Sequence, residues 1–295
     1  MENEQIKGRV SYSQFTMWTG CPFQWKLRYV DRIKVPSVSI HLLFGTALND
    51  TIQLFLTTYY EKTEKEANEL DLNQFMLKRM LEVFETYEKQ DGNGFTTEKE
   101  MNQFYKDGVK IIDWFKKKRS DYFMKKNYEL LGCELQLEFP IKENVSFIGR
   151  IDCAIKHTPT DLIKIYDFKK SMRGWSDDMK KDPYKRGQLQ IYKKFYSQQF
   201  NVDLDKISIE FLIFKQRISE NSEFPSKRVQ KYQPPDSERS INKILKEFEQ
   251  FVGAVFNEDG SHKTDIEYEK KPSKYSCQYC PFKDKKDICP VGISK

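Results

Sequence analysis

The sequence predicts an α/β protein: a mixed sheet flanked by helices, with a helical insertion before it and a cysteine cluster after it. Three observations lead there. Residues 71–89 and 97–126 carry apolar side chains at steps of three and four, which is the period of a helix. From Leu131 onward the period shortens to two, and strand-like runs then flank a single helical stretch. Cys277, Cys280 and Cys289 crowd a polar tail.

In chain order, Phe15 and Trp18 mark a first short helix, with Ser13 the expected N-cap and Gly20 the stop. Pro22 suits the first turn of a second helix, Pro22–Tyr29. Phe44 opens a third, with Leu48, Ile52, Phe55, Leu56 and Tyr59 on one side. The insertion follows as two helices around the loop Asp91–Gly94, and its stripe (Leu72, Phe75, Met76, Met80, Val83, Phe84, Tyr87) reads as core.

Strand-like segments then succeed one another at Leu131–Pro140, Phe147–Ile155, Asp161–Phe168 and Ile207–Phe214. In the first, Leu135, Leu137 and Phe139 alternate with Glu134, Gln136 and Glu138. A helix over about 183–200 supplies the crossover between the last two, which is the pattern of an α/β core. Pro234-Pro235 breaks the chain before an amphipathic helix carrying Ile241, Ile244, Leu245, Phe248, Phe251, Val252 and Val255. The division expected is 1–39, 40–130, 131–215 and 216–295.

Composition narrows the function classes. Fifty Lys and Arg against 44 Asp and Glu leave +6, a mild bias that does not establish nucleic-acid binding. Clusters at Lys116–Arg119, Lys125-Lys126, Lys169-Lys170 with Arg173, and Lys180-Lys181 suit phosphate contacts or a solvated face equally. No apolar run approaches the roughly 20 residues that span a bilayer, and Met1–Arg9 has no signal-peptide core. The expectation is a cytoplasmic protein without membrane contact, in a bacterial or phage-infected cell.

The chemistry concentrates in Gly149-Arg-Ile-Asp152 and Asp167-Phe-Lys169. Asp152 interrupts a strand otherwise suited to burial, where an ionised carboxylate is costly unless it is paired or holds a cation. Asp167 and Lys169, two apart on a strand, share a face. Adjacent strands would bring Asp152 beside Asp167, and two carboxylates with the carbonyl of Phe168 suit Mg²⁺ or Mn²⁺. Lys169 would then orient or deprotonate the attacking water. Taken alone, Asp-x-Lys more often describes a structural ion pair at a strand end. Gln188 and Tyr192 lie one helical turn apart, placed to hold a phosphate or base, or simply to pair on the surface.

Gly149-x-x-Asp152, Asp167-x-Lys169 and Gln188-x-x-x-Tyr192, in this order, resemble the PD-(D/E)XK nuclease superfamily, and within it the RecB-like exonucleases. That resemblance implies a restriction-endonuclease-like core and makes Asp152, Asp167 and Lys169 the catalytic set, with Gln188 and Tyr192 on the DNA strand. It also implies an exonuclease acting on single strands or duplex ends in recombination, repair or replication. The family usually carries His in Gly-x-x-x-His on its first core helix; here Gly45-Thr-Ala-Leu-Asn49 ends in Asn. An amide oxygen can ligate a cation but cannot act as a base. Glu134 and Glu138 are candidate compensating ligands, or solvent-facing strand residues. A rival reading, a non-catalytic DNA-binding or scaffold subunit, draws on Asn49 alone.

Cys277-Gln-Tyr-Cys280, Cys289-Pro290 and the distant Cys21-Pro22 resemble the staple of the iron–sulfur branch of these nucleases, which includes AddB-type helicase-nucleases and CRISPR-associated exonucleases. Four thiolates accommodate either a [4Fe–4S] cluster or tetrahedral zinc. Cys133 and Cys153, on strand patterns, read as core thiols. His41, His157 and His262 receive no role. No Walker-type phosphate loop is present, so a helicase or recombination complex enters only as a partner.

Overall fold

A computed structural model describes residues 8–35, 38–91, 94–219 and 226–292. The expected loop at Gly92-Asn93 and most of the polar N-terminus lie outside them. In chain order the elements are β1 (Gly8–Val10), α1 (Tyr12–Gly20), α2 (Pro22–Tyr29), α3 (Ile40–Glu61), α4 (Glu64–Glu69), α5 (Leu72–Asp91) and α6 (Glu98–Lys118). There follow β2 (Tyr128–Lys142), β3 (Val145–His157), β4 (Leu162–Ser171), α7 (Asp177–Lys181), α8 (Pro183–Phe200), β5 (Ile207–Lys215), β6 (Val229–Tyr232), α9 (Glu238–Val255) and α10 (Lys274–Gln278). The expected α/β class, a mixed sheet flanked by helices, is what the chain forms.

Two compact units divide the chain. One comprises Val38–Leu135 and Arg150–Glu238; the other comprises Met1–Ser37, Gln136–Gly149 and Arg239–Lys295. The larger holds the sheet core. Cys153–His157 of β3 runs antiparallel to β4, from Cys153↔Tyr166 to His157↔Leu162. Strand β4 lies parallel to β5 over Ile163↔Ile207 to Ser171↔Lys215, and β6 returns antiparallel to β5. Parallel neighbours need a crossover, which α7 and α8 supply. Helix α8 begins as its sequence dictates: the Asp182 side chain accepts from the N–H of Tyr184, and Pro183 fills the first turn.

One face of this sheet and three helices share a core. Leu48, Ile52, Phe55 and Leu56 of α3, Met76 and Met80 of α5, and Ile111, Ile112 and Phe115 of α6 are buried with Tyr166, Phe168, Leu212 and Phe214. The five expected positions of α3 are all buried, while Phe75, Phe84 and Tyr87 of α5 are half-buried. Gly108 of α6 matters here, because a Cβ at that position would collide with the side chain of Met76. A larger residue there would oblige the end of the Met76 side chain to move.

In the smaller unit, β1 lies parallel to the start of β3, Gly8↔Val145 to Val10↔Phe147. Its core is aromatic. Phe15 meets Phe248 at 5.5 Å between ring centroids, and Trp25 meets Phe251 at 5.7 Å and Tyr268 at 6.0 Å. Gln14, buried among them, accepts a hydrogen bond from the indole N–H of Trp25 at 3.3 Å. The expected N-cap of the first helix shifts: Ser11, not Ser13, accepts from the N–H of Gln14. Ser11 alone has the extended backbone a cap requires.

The alternation read into β2 holds only in part. Leu137 is buried, but Leu135 and Phe139 are half-buried. Within the strand, Glu134 takes a left-handed backbone with φ +52°, which interrupts regular alternation.

Candidate active site

Strands β3 and β4 position the acids. The antiparallel ladder ends at Cys153↔Tyr166, and Asp152 and Asp167 are the next residues along their strands; both line one cavity, and each carboxylate lies within reach of the other's charge. Asp167 is only 3% exposed. Its Oδ1 makes no well-aligned hydrogen bond, although the ammonium of Lys169 lies 2.6 Å away as an ion pair. Asp152 Oδ2 accepts from the main-chain N–H of Phe168 at 2.6 Å. Burial pushes the Asp152 carboxyl up to about 7, and the neighbouring Asp167 charge adds to the rise; Lys169, Lys170 and the Phe168 N–H pull it back.

Lysine 169 is held from two sides. Its Nζ donates to Gln188 Oε1 at 2.8 Å while paired with Asp167. The Gln188 amide in turn donates to the Tyr192 hydroxyl at 3.2 Å, one helical turn along α8. Tyr192 is 7% exposed, and burial drives its phenol well above the usual range. The two α8 residues expected on the DNA strand thus also form a relay that holds the Lys169 ammonium.

A cavity of about 420 Å³ collects these groups: Asp152, Asp167, Phe168, Lys169 and Gln188 line it together with Asn49, His41, Phe44, Lys170, Ser171, Met172 and Gln216. Asn49 thus reaches the site from α3. Its Oδ1 accepts a hydrogen bond from Lys170 Nζ, and Asp50 beside it is occupied by Arg79 at 2.7 Å. In the sequence His41 receives no role, Lys170 counts only as part of a basic run, and Gln216 is not singled out. His41 and Asn49 are eight apart on α3, two turns along one helix face, a spacing that could have flagged His41.

The two glutamates fare differently. Glu134, exposed, accepts from Gln53 Nε2 at 2.8 Å, and the same amide donates to the Asp152 carbonyl at 3.2 Å. It buttresses the main chain at Asp152 and does not line the cavity. Glu138 belongs to the smaller unit and accepts from Gln136 at 3.2 Å. Among the described residues no three His, Cys, Asp or Glu side chains come together as a metal-binding group.

The model of the PD-(D/E)XK nuclease superfamily matches residues 9–290. The chain belongs to that superfamily. Nuclease activity on DNA is therefore the activity of its family, and such nucleases typically use Mg²⁺ or Mn²⁺. The donors present fit such an ion: two carboxylates and Phe168 line one cavity, and a buried Asp167 oxygen lacks a well-formed hydrogen bond. No curated protein matches the sequence. A solved structure described as the crystal structure of SSO0001 aligns over 96% of this chain and 97% of its own at 14% identity, with a TM-score of 0.32. No helix among the described residues is long and apolar enough to cross a membrane.

In the smaller unit, Cys21, Cys277, Cys280 and Cys289 line one small cavity with Phe23, Leu27 and Phe282. Cys21 caps the junction of α1 and α2, and Cys277 lies within α10, its carbonyl accepting from the N–H of the C-cap Tyr279. Burial raises the Cys280 thiol, and the other three cysteines push the same way. All four are free thiols here. Cys133 and Cys153, by contrast, sit in the larger unit, Cys153 fully buried.

Proposed function

We propose that the protein is a Mg²⁺- or Mn²⁺-dependent deoxyribonuclease that degrades DNA as an exonuclease, from single strands or duplex ends, in recombination, repair or replication. The observation that carries the reading is the meeting of Asp152 and Asp167 in one cavity, with Lys169 fixed beside them by Gln188. A structural ion pair would need neither the second carboxylate nor an open cavity in front of it.

In this reading Asp152, Asp167 and the Phe168 carbonyl hold the divalent ion. The ion, when bound, acidifies water and stabilises negative charge developing on the phosphate oxygens. Lys169 orients the attacking water and offsets that charge, and Gln188 holds the ammonium toward the cavity. Tyr192 acts through Gln188. The four cysteines of the smaller unit are the proposed ligands of a [4Fe–4S] cluster, supported by their lining of one cavity, with zinc as the alternative occupant. A helicase or recombination complex is the partner such an enzyme would serve.

The test uses anaerobically purified protein with end-labelled linear DNA and closed single-stranded circles, in Mg²⁺, Mn²⁺ or EDTA. Linear strands should shorten progressively, circles should survive, and EDTA should stop the reaction. Asp167→Ala should slow cleavage by about two orders of magnitude or more. Cutting of circles would replace the exonuclease by an endonuclease; undiminished cleavage by Asp167→Ala would displace the site itself.

A further inference from the structure

Two lysines, not one, face the acidic pair. Successive strand residues point to opposite faces, so β4 sends Lys169 to α8 and its neighbour Lys170 to α3. There the Lys170 side chain runs alongside Gly45, its Cδ, Cε and Nζ 3.8–3.9 Å from where a Cβ on that glycine would stand. Its ammonium ends on Asn49 Oδ1. The anchor is neutral, because the adjacent Asp50 is engaged by Arg79. Among the described residues Lys170 makes no direct ion pair, yet it lines the same cavity as Asp152 and Asp167 and feels both charges.

The acids that line this cavity are two, Asp152 and Asp167, and two ammonium groups stand beside them. A pair of ions about 4 Å apart brings four positive charges, and two carboxylates flanked by two ammonium groups give such a pair little to offset it. One divalent ion is matched by the two carboxylates. We propose that Lys170 is a catalytic residue that takes the place of a second divalent ion: the site binds one Mg²⁺ or Mn²⁺, and the Lys170 ammonium contacts an oxygen of the scissile phosphate. Asn49 is its positioning residue. The Asn in place of the usual His then has a purpose, since an amide oxygen accepts from an ammonium without competing for its proton.

This inference rests on the nuclease reading above, and its test separates the two. Mn²⁺ binding to the full-length protein, followed by calorimetry or paramagnetic resonance, should show one ion per chain that Asp167→Ala abolishes. Lys170→Met should cleave DNA at least about a hundredfold more slowly. It should also bind Mn²⁺ more tightly, on the order of tenfold, because a cation has been removed from the ion's surroundings. A merely structural lysine would give the opposite sign, a weakened site. Lys170→Arg should retain more activity than Lys170→Met, and Asn49→Ala should fall between Lys170→Met and the parent. Two Mn²⁺ ions per chain, cleavage by Lys170→Met within about threefold of the parent, or weaker Mn²⁺ binding in that variant would each overturn the proposal. Were Asp167→Ala to keep cleaving, the nuclease site itself would be misplaced; a dead Asp167→Ala beside an active Lys170→Met would sink this inference alone.

Discussion

The main-chain N–H of Phe168 donates to Asp152 Oδ2 at 2.6 Å, and it is one of the few groups supporting negative charge on that carboxylate. Burial and the Asp167 charge act against it and lift Asp152 to about 7. In the unfolded chain the same group titrates near 4. Below about pH 4 it is protonated in both states and has no effect on stability. As pH climbs from there toward 7 the unfolded chain gives up its proton while the folded chain keeps it. Folding therefore weakens with rising pH across that window, by on the order of a few kcal/mol. Lys170, lowered to about 8, stays charged throughout the window and does not contribute to the slope. Urea denaturation in EDTA should show this decline in the parent and a flatter profile in Asp152→Asn. Added Mg²⁺ should restore stability above pH 7, since the ion favours the ionised form.

Gln188 connects α8 to the chemistry, because its Oε1 accepts from Lys169 while its amide leans on Tyr192. Gln188→Ala removes one of the two groups that hold the ammonium and leaves it on Asp167 alone. The rate should fall by about tenfold to a hundredfold, and Mn²⁺ affinity should fall with it, as Lys169 neutralises a ligand. Tyr192→Phe removes only the outer hydroxyl and should cost less than Gln188→Ala. Equal losses would mean that Tyr192 touches the substrate directly.

The ordered motifs were legible because the chemistry needs particular residues at strand and helix spacings. Asp152 stood out as a charge inside an apolar strand, and it shares a cavity with Asp167. Helices α2 and α8 have the ends expected of them, since Pro22 and Pro183 mark first turns. The short elements escaped. Strands β1 and β6 have three and four residues, too few for a period to register, and their pairing is set by neighbours distant in sequence. Lys170 escaped for another reason. Beside Lys169 it read as part of a basic run, and only the burial of Asn49's partner against α3 distinguishes the two ammonium groups.

Gly260 is a test of the smaller unit. Its φ of +79° lies where side chains are strained, and a Cβ there would meet the Asn144 carbonyl and the Gly8 nitrogen, the latter at 3.0 Å. Both neighbours are backbone and cannot swing aside. Gly260→Ala should therefore destabilise the protein by about 2 kcal/mol or more, from the left-handed penalty plus the collision. Thermal denaturation checks it. A loss below about 0.5 kcal/mol would mean that the turn relaxes freely.

The cysteines of the smaller unit separate two metals that one cavity cannot. Iron–sulfur clusters absorb broadly in the visible, whereas zinc, with a filled d shell, gives no colour. Protein purified without oxygen should be brown, with about four irons per chain if the cluster is a cubane. Single Ser substitutions at Cys21, Cys277, Cys280 or Cys289 should bleach it, because all four line the same cavity. They should also lower the melting temperature, since Cys21 and Cys277 are 256 positions apart and a shared ligand closes that long loop. Cys133→Ser and Cys153→Ser should keep the colour, both residues lying in the larger unit. Cys153→Ser should still lose stability, as its hydroxyl would be buried in a strand core. Colourless protein carrying one zinc would replace the cluster and leave Asp152, Asp167 and Lys169 untouched, because none of the three depends on the cysteines for its position.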